Sequence, residues 1–301
     1  MGTTAKEIQL DQVIWRLNSG QKPRITIARL DMLHPIVSGN KSFKLFYNLQ
    51  QAIQEQKSGI ITMGGCFSNH LVATAYACKE SGMKSIGLIR GELPNPLNHS
   101  LRFCTENGMQ LIPIDRMHFH RTDEQVLEKI RIHPDLYFVP EGGDNAYGEK
   151  GCTEIMHRIK GADQFTHIVC AIGTGTTFRG LLQSLKKHQT GIGIPVLKIP
   201  IEEQDGFLRE HVNTKSNASF QVFFNYALNG YAKKDTTLLN FMNLFYKETN
   251  VPTDFVYTGK VMHAVTHLLE TNRFPENSNI LVLHTGGLQG NDSLPRGALC
   301  Y

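Results

Sequence analysis

Four short segments join residue types that do chemistry to glycines that let a backbone approach a ligand closely. Gly173-Thr174-Gly175-Thr176-Thr177 follows an apolar run and opens an amphipathic one. Amides at a helix start, together with three hydroxyls, make a cradle for one phosphate. No Gly-Lys-Ser/Thr follows, so this is not a P-loop. The glycine after Gly175 is Gly180, two positions late for a dinucleotide fingerprint. The pattern favours a monophosphate ligand, although such a loop also serves as a plain turn. Ser38-Gly39-Asn40-Lys41 opens another amphipathic stretch. A lysine there is ordinarily a solvated charge. The positive end of a helix disfavours a cation, however, and so makes the amine a better nucleophile toward a carbonyl. In Gly64-Gly65-Cys66-Phe67-Ser68-Asn69-His70, Ser68 can cap the helix that follows, and the first amides of that helix suit a carboxylate. Tyr257-Thr258-Gly259-Lys260 is a fourth loop-to-helix turn.

Something must hold these turns in place. Apolar runs at 25–31, 59–63, 85–90, 110–114, 136–139, 167–172, 196–201 and 279–283 read as strands. Residues 41–56, 69–81, 101–106, 124–132, 147–160, 177–187, 238–247 and 260–271 have helical spacing. The alternation predicts an α/β protein, with parallel sheets covered by helices on both faces. Glycine-rich turns at 64–65, 142–143, 173–175 and 286–287 follow predicted strands, and ligands bind at the carboxyl ends of such strands.

Composition narrows the function classes. The 301 residues suggest about two domains. There are 31 Lys and Arg against 27 Asp and Glu, with no run of five or six like charges, so neither nucleic acid nor an anionic membrane is an expected partner. No apolar stretch approaches the ~18 residues of a membrane span, and the first twenty residues lack a signal-peptide pattern. None of the six cysteines forms C-x-x-C, which predicts reduced thiols in a cytoplasmic protein; Cys66 stands out for its glycine-rich turn. His118 and His120 could share a strand face, but no neighbouring carboxylate is evident, so no metal site is expected.

Taken together, the segments resemble a family. Ser38-Gly-Asn-Lys41-Ser-Phe-Lys44-Leu45, Gly64 to His70, Arg90-Gly91-Glu92, Pro140-Glu-Gly-Gly143, Gly173 to Thr177, Tyr257 to Lys260 and His284-Thr-Gly-Gly287 keep their order from about Ile25 to Gly290. The chain thereby resembles the fold-type II, tryptophan-synthase-β-like pyridoxal 5'-phosphate enzymes. Among them it is similar to the aminocyclopropane-carboxylate deaminase and D-cysteine desulfhydrase family. The resemblance implies two doubly wound open-sheet α/β domains with the cofactor between them: a larger one from 1–46 and 154–301, and a smaller one inserted at 47–153. It implies that Lys41, rather than Lys44, carries the cofactor as a Schiff base. Asn69 would bond the cofactor's phenolic oxygen, and Gly173, Thr174, Gly175, Thr176 and Thr177 its phosphate. Ser68, Asn69 and His70 would take the substrate carboxylate. Tyr231 and Tyr257 match the active-site tyrosines, and Thr258 and Thr285 would lie at the cofactor. A homodimer is also implied.

Thr258 falls where the resemblance places the partner of the pyridine nitrogen. The deaminases carry glutamate there, and an apolar residue at the position of Thr285. A threonine supplies no formal charge, and the helix start adds positive potential, so a neutral ring is expected. That favours β-elimination: a D-cysteine desulfhydrase giving pyruvate, ammonia and hydrogen sulfide. An aminocyclopropane-carboxylate deaminase is the alternative, and an inert cofactor-binding protein is the alternative from another class. Departures from the family pattern are Phe43 and Phe46, His70 for a glutamine, and Ala232 after Tyr231 where glycine is usual.

Overall fold

The computed structural model describes residues 7–15, 17, 24–212, 216 and 218–301. Strands run at β1 (Leu10–Ile14), β2 (Arg24–Arg29), β3 (Gly59–Gly64), β4 (Lys84–Arg90), β5 (Met109–Ile114), β6 (Leu136–Val139), β7 (His167–Ile172), β8 (Thr190–Pro195), β9 (Ser219–Val222) and β10 (Ile280–His284). Helices are α1 (Asn40–Gln54), α2 (Asn69–Glu80), α3 (His99–Glu106), α4 (Glu124–Arg131), α5 (Ala146–His157), α6 (Thr176–Ser184), α7 (Gln204–His211), α8 (Thr236–Thr249) and α9 (Thr258–Glu270).

The chain forms two compact units. One comprises His34–Gly151, and the other the described residues of 5–33 with Cys152–Tyr301. In the first, an all-parallel sheet has the order β5-β4-β3-β6. β3 is buried throughout, and its side chains alternate between two cores. Ile60 packs with Leu45 and Leu49 of α1 and Ala73 and Ala77 of α2. Ile61 and Met63 face the other way, toward Val126 of α4. Helices therefore cover both faces. Because α1 packs on β3, β6 and α2, Lys41 belongs to this unit, and the division falls before α1 rather than at 46/47.

The second unit holds a six-stranded sheet, β1-β2-β10-β7-β8-β9, parallel except for β1 against β2. On one face Ile25, Val169, Ile192 and Val282 pack with Phe245 of α8 and Val261 and Val265 of α9. On the other lies α6. The strand expected at 196–201 runs instead at Thr190–Pro195. Its glycines explain the error. They argue against a strand by propensity, yet here they admit α6: a Cβ on Gly193 would meet Phe178 at 3.1 Å, and one on Gly191 would meet Leu182 at 2.5 Å. Strands β1 and β9 and helix α7 were not expected from the sequence.

Candidate active site

In the 34–151 unit, three turns at the carboxyl ends of strands or at helix starts carry the candidate residues. Gly39 precedes α1 with φ 64° and ψ −141°, a backbone that excludes other residue types and turns the chain into the helix bearing Lys41. Lys41 is half-buried, and its Nζ donates to Asn40 Oδ1 at 2.8 Å. Lys44 is more deeply buried and donates to the carbonyl of Gly142 at 2.9 Å, so its ammonium braces the 141–143 turn. Phe43 is buried, and Phe46 meets Tyr47 edge-on; both departures are packing residues. Arg90 pairs with Glu141 at 3.0 Å, joining two of the motifs.

Ser68 caps α2, its Oγ accepting from Leu71 N at 3.3 Å. The amides of Asn69 and His70, at the first two helix positions, have no acceptor within the helix. Asn69 Oδ1 is buried without a hydrogen-bond partner, which suits a residue that awaits a ligand.

His70 has a defined tautomer. Thr62 Oγ1 donates its single proton to Val139 O at 2.7 Å, so at 2.9 Å from His70 Nε2 it must accept. Nε2 therefore bears the hydrogen, and Nδ1 is a bare acceptor, buried and unpartnered. Burial, then the charges of Lys41 and Lys44, hold the imidazole well below its usual pKa, and it is neutral. A carboxylate needs donors. Of the groups at Ser68, Asn69 and His70, the Ser68 hydroxyl and the α2 amides can donate to a carboxylate, and the bare Nδ1 of the imidazole cannot.

The other unit holds the phosphate-type cradle. Gly175 sits left-handed at φ 83° before α6, and no side chain caps the helix. A Cβ on Gly175 would overlap the carbonyl oxygen of His211. The hydroxyls of Thr174 and Thr176 lie 2.9 Å apart. Arg179, which sequence reasoning missed, ties the loop down by donating to Thr174 O at 3.3 Å and His211 O at 3.1 Å. A Cβ on Gly173 would lie 3.4 Å from the ring of Tyr257. The Tyr257 and Tyr231 hydroxyls are 2.9 Å apart. Ala232 takes φ 51°, which explains why glycine is usual there.

Behind Tyr257 lies a buried network. Asp254 is fully buried. Its Oδ2 accepts from Val256 N at 2.9 Å and Tyr257 N at 2.8 Å, and its Oδ1 accepts from Thr258 N at 2.9 Å and Thr258 Oγ1 at 2.6 Å. Lys260, also fully buried, donates to Gly230 O at 2.7 Å and Val196 O at 3.2 Å, fixing the residue before Tyr231. Burial pulls its pKa down to about 8. Thr285 is buried after β10. The preceding His284 lies 3.2 Å from Asp31 and donates from Nε2 to Pro252 O at 2.7 Å. Asp254 had a sequence signal, an aspartate just before a helix start; the Lys260 contacts had none.

His118 pairs with Asp123 at 3.1 Å, a carboxylate the sequence reading overlooked. Among the described residues no group of three His, Cys, Asp or Glu could hold a metal ion. Cys78, Cys104, Cys152 and Cys170 are buried, Cys66 is intermediate, Cys300 is exposed, and none of the six is in a disulfide.

Amides, hydroxyls and an uncapped, Cβ-free helix start suit a phosphate monoester, and the residues of this cradle fit the phosphate of pyridoxal phosphate. The comparisons agree. A curated Thermotoga maritima protein named "Putative 1-aminocyclopropane-1-carboxylate deaminase" is 27% identical over 297 residues, covering 93% of each chain. A solved "ACC deaminase homologue" superposes with a TM-score of 0.77 at 22% identity, over 95% of this chain and 90% of that one. A hydrogen sulfide-producing enzyme of Fusobacterium nucleatum does so with a TM-score of 0.67 at 17% identity, over 95% and 87%. These likenesses show the tryptophan-synthase-β-like fold. The model of the family described as "pyridoxal-phosphate dependent enzyme" matches residues 16–286, and with that match over most of its length the chain belongs to this family.

Proposed function

We propose that the protein is a lyase that removes the β-substituent of a small amino acid, with D-cysteine the first candidate: D-cysteine and water give pyruvate, ammonia and hydrogen sulfide. The observation that carries this choice is threonine at the buried positions 258 and 285, where the deaminases that the chain resembles carry a glutamate and an apolar residue and the desulfhydrases do not.

Pyridoxal phosphate, when bound, supplies the electron sink for the carbon chemistry. The protein's own groups do the rest. Lys41 would carry the cofactor and, once released by the substrate amine, take the α-proton at Nζ. The loop from Gly173 to Thr177 would hold the phosphate. The Ser68 hydroxyl and the Asn69 and His70 amides would fix the substrate carboxylate and so the face presented to Lys41. Tyr231 and Tyr257, whose hydroxyls share a hydrogen bond, would pass a proton at the leaving group. None of the six cysteines is in a disulfide, which supports a cytoplasmic location, and a homodimer is the assembly we propose.

A second reading, deamination of aminocyclopropane carboxylate, is favoured by the name of the Thermotoga relative. Keto-acid release from D-cysteine, L-cysteine and aminocyclopropane carboxylate, assayed side by side, separates the two. Pyruvate and sulfide from D-cysteine are expected. α-Ketobutyrate from the cyclopropane with none from D-cysteine would replace the proposal with the second reading. A yellow holoenzyme inert toward all three would remove both.

A further inference from the structure

The Thr258 hydroxyl has one proton, and Asp254 takes it at 2.6 Å. It also accepts from Asp254 N at 2.8 Å, so a single lone pair remains for any other partner. Three backbone N–H groups point at the Asp254 carboxylate besides that hydroxyl, the surroundings of an ionised acceptor. Asp254, Thr258 and Lys260 are all buried, so little water competes. We infer that Asp254 is a positioning residue acting through Thr258, which can only accept a hydrogen bond from the cofactor's ring nitrogen and so keeps that nitrogen protonated. The inference rests on the placement of Thr258 at the ring nitrogen.

This reverses the expectation of a neutral ring. That expectation set a helix start, worth roughly half a positive charge, against an uncharged hydroxyl. The amides of that positive end include those of Tyr257 and Thr258, and Asp254 already binds both. A full negative charge lies one hydrogen bond behind the hydroxyl, and it outweighs the half charge. The other titratable groups near Asp254 do not change the sign. Lys260 on α9 donates to carbonyls of other segments, with its pKa near 8 under burial, and the Asp254 charge holds it up. The Tyr301 phenol donates to Thr253 O, and burial raises its pKa. His284 is committed to Asp31 and Pro252 O. The Tyr257 hydroxyl is bonded to Tyr231. β-Elimination proceeds with a protonated ring, so the proposed reaction stands. The cyclopropane reading, for its part, regains the charge that threonine seemed to deny it.

The test is the ring-nitrogen NMR resonance of holoenzyme reconstituted with ¹⁵N-labelled pyridoxal phosphate, followed from pH 6 to 9. The wild type should show the protonated position throughout. Asp254→Asn and Thr258→Val should each move it to the unprotonated position at pH 7.5, and Thr258→Ser should restore it. Thr258→Val leaves Asp254 its three backbone bonds, so the test survives if Asp254→Asn does not fold. An unprotonated wild-type ring, or a Thr258→Val ring still protonated, overturns the inference. Borohydride reduction and peptide mapping check the underlying reading separately: a label on Lys41 upholds it, and a label elsewhere removes it whatever the nitrogen shows.

Discussion

Helices α2 and α6 both begin at a strand-to-helix turn rich in glycine, and both are candidates to bind an anion, yet they are finished differently. At α2 a serine side chain already satisfies one amide, Leu71 N. At α6 the cap is a left-handed glycine with no side chain, and the nearest added carbon would strike a carbonyl. A capped start suits the single charge of a carboxylate that comes and goes. An open start suits a phosphate that stays. The chemical difference between substrate and cofactor is thus already present in whether the protein supplies the cap itself.

The sharpest way to break this contrast is Gly175→Ala. The left-handed φ costs an L-residue about 1–2 kcal/mol, and the overlap with His211 O adds to it, so pyridoxal-phosphate affinity should fall ten- to a hundredfold by equilibrium dialysis. Unchanged affinity would mean that the α6 start holds no phosphate. Ser68→Ala should act on the other side. Losing the cap costs about 1 kcal/mol, and KM for the amino acid should rise severalfold while the cofactor stays bound. If cofactor affinity fell instead, the assignment of the two helix starts would be the wrong way round.

A pH experiment sharpens the picture at α2. Folded His70 stays neutral well below its usual pKa, whereas in the unfolded chain it takes up a proton near pH 6.5. The unfolded state then binds more protons, so stability is lost as pH falls below about 6.5, by up to ~1.4 kcal/mol per unit. Urea unfolding of His70→Gln at pH 7 and pH 5 should show a shallower loss than the wild type. Equal slopes would contradict the buried neutral tautomer. The smallest effect is expected at Ala232→Gly. Relieving a left-handed alanine at φ 51° offsets the extra freedom of glycine in the unfolded chain, and a net gain of about 0.5 kcal/mol should appear as a small rise in Tm. A fall in Tm would show that the methyl is making contacts worth more than the strain.

The legible parts of the molecule were those where one residue type meets one physical demand. Glycine at 39, 173 and 175 announced turns, and apolar runs such as 136–139 and 167–172 announced buried parallel strands whose limits the structure reproduces. Strand β8 was misplaced because its glycines serve a helix above it, a demand that local pattern does not carry. The exposed strand β9, with only Val222 partly buried, has no apolar signature to read. At the site, residue types were readable and protons were not. Whether His70 donates or accepts depends on Thr62 and Val139, and whether Thr258 donates depends on Asp254. Each of these partners except Asp254 lies on another strand, so no spacing rule could reveal it.

The two glycines of β8 have a reach beyond their own strand. Phe178 and Leu182 of α6 settle into the space where side chains would stand, so the depth of that helix is set by what β8 lacks. Gly173 to Gly175 lead directly into α6, and Thr176 and Thr177 are its first two residues. A methyl group at Gly193 would therefore lift an anion cradle it never touches. Variants that lose the cofactor should accumulate in β8, where a map of ligand contacts would never look for them.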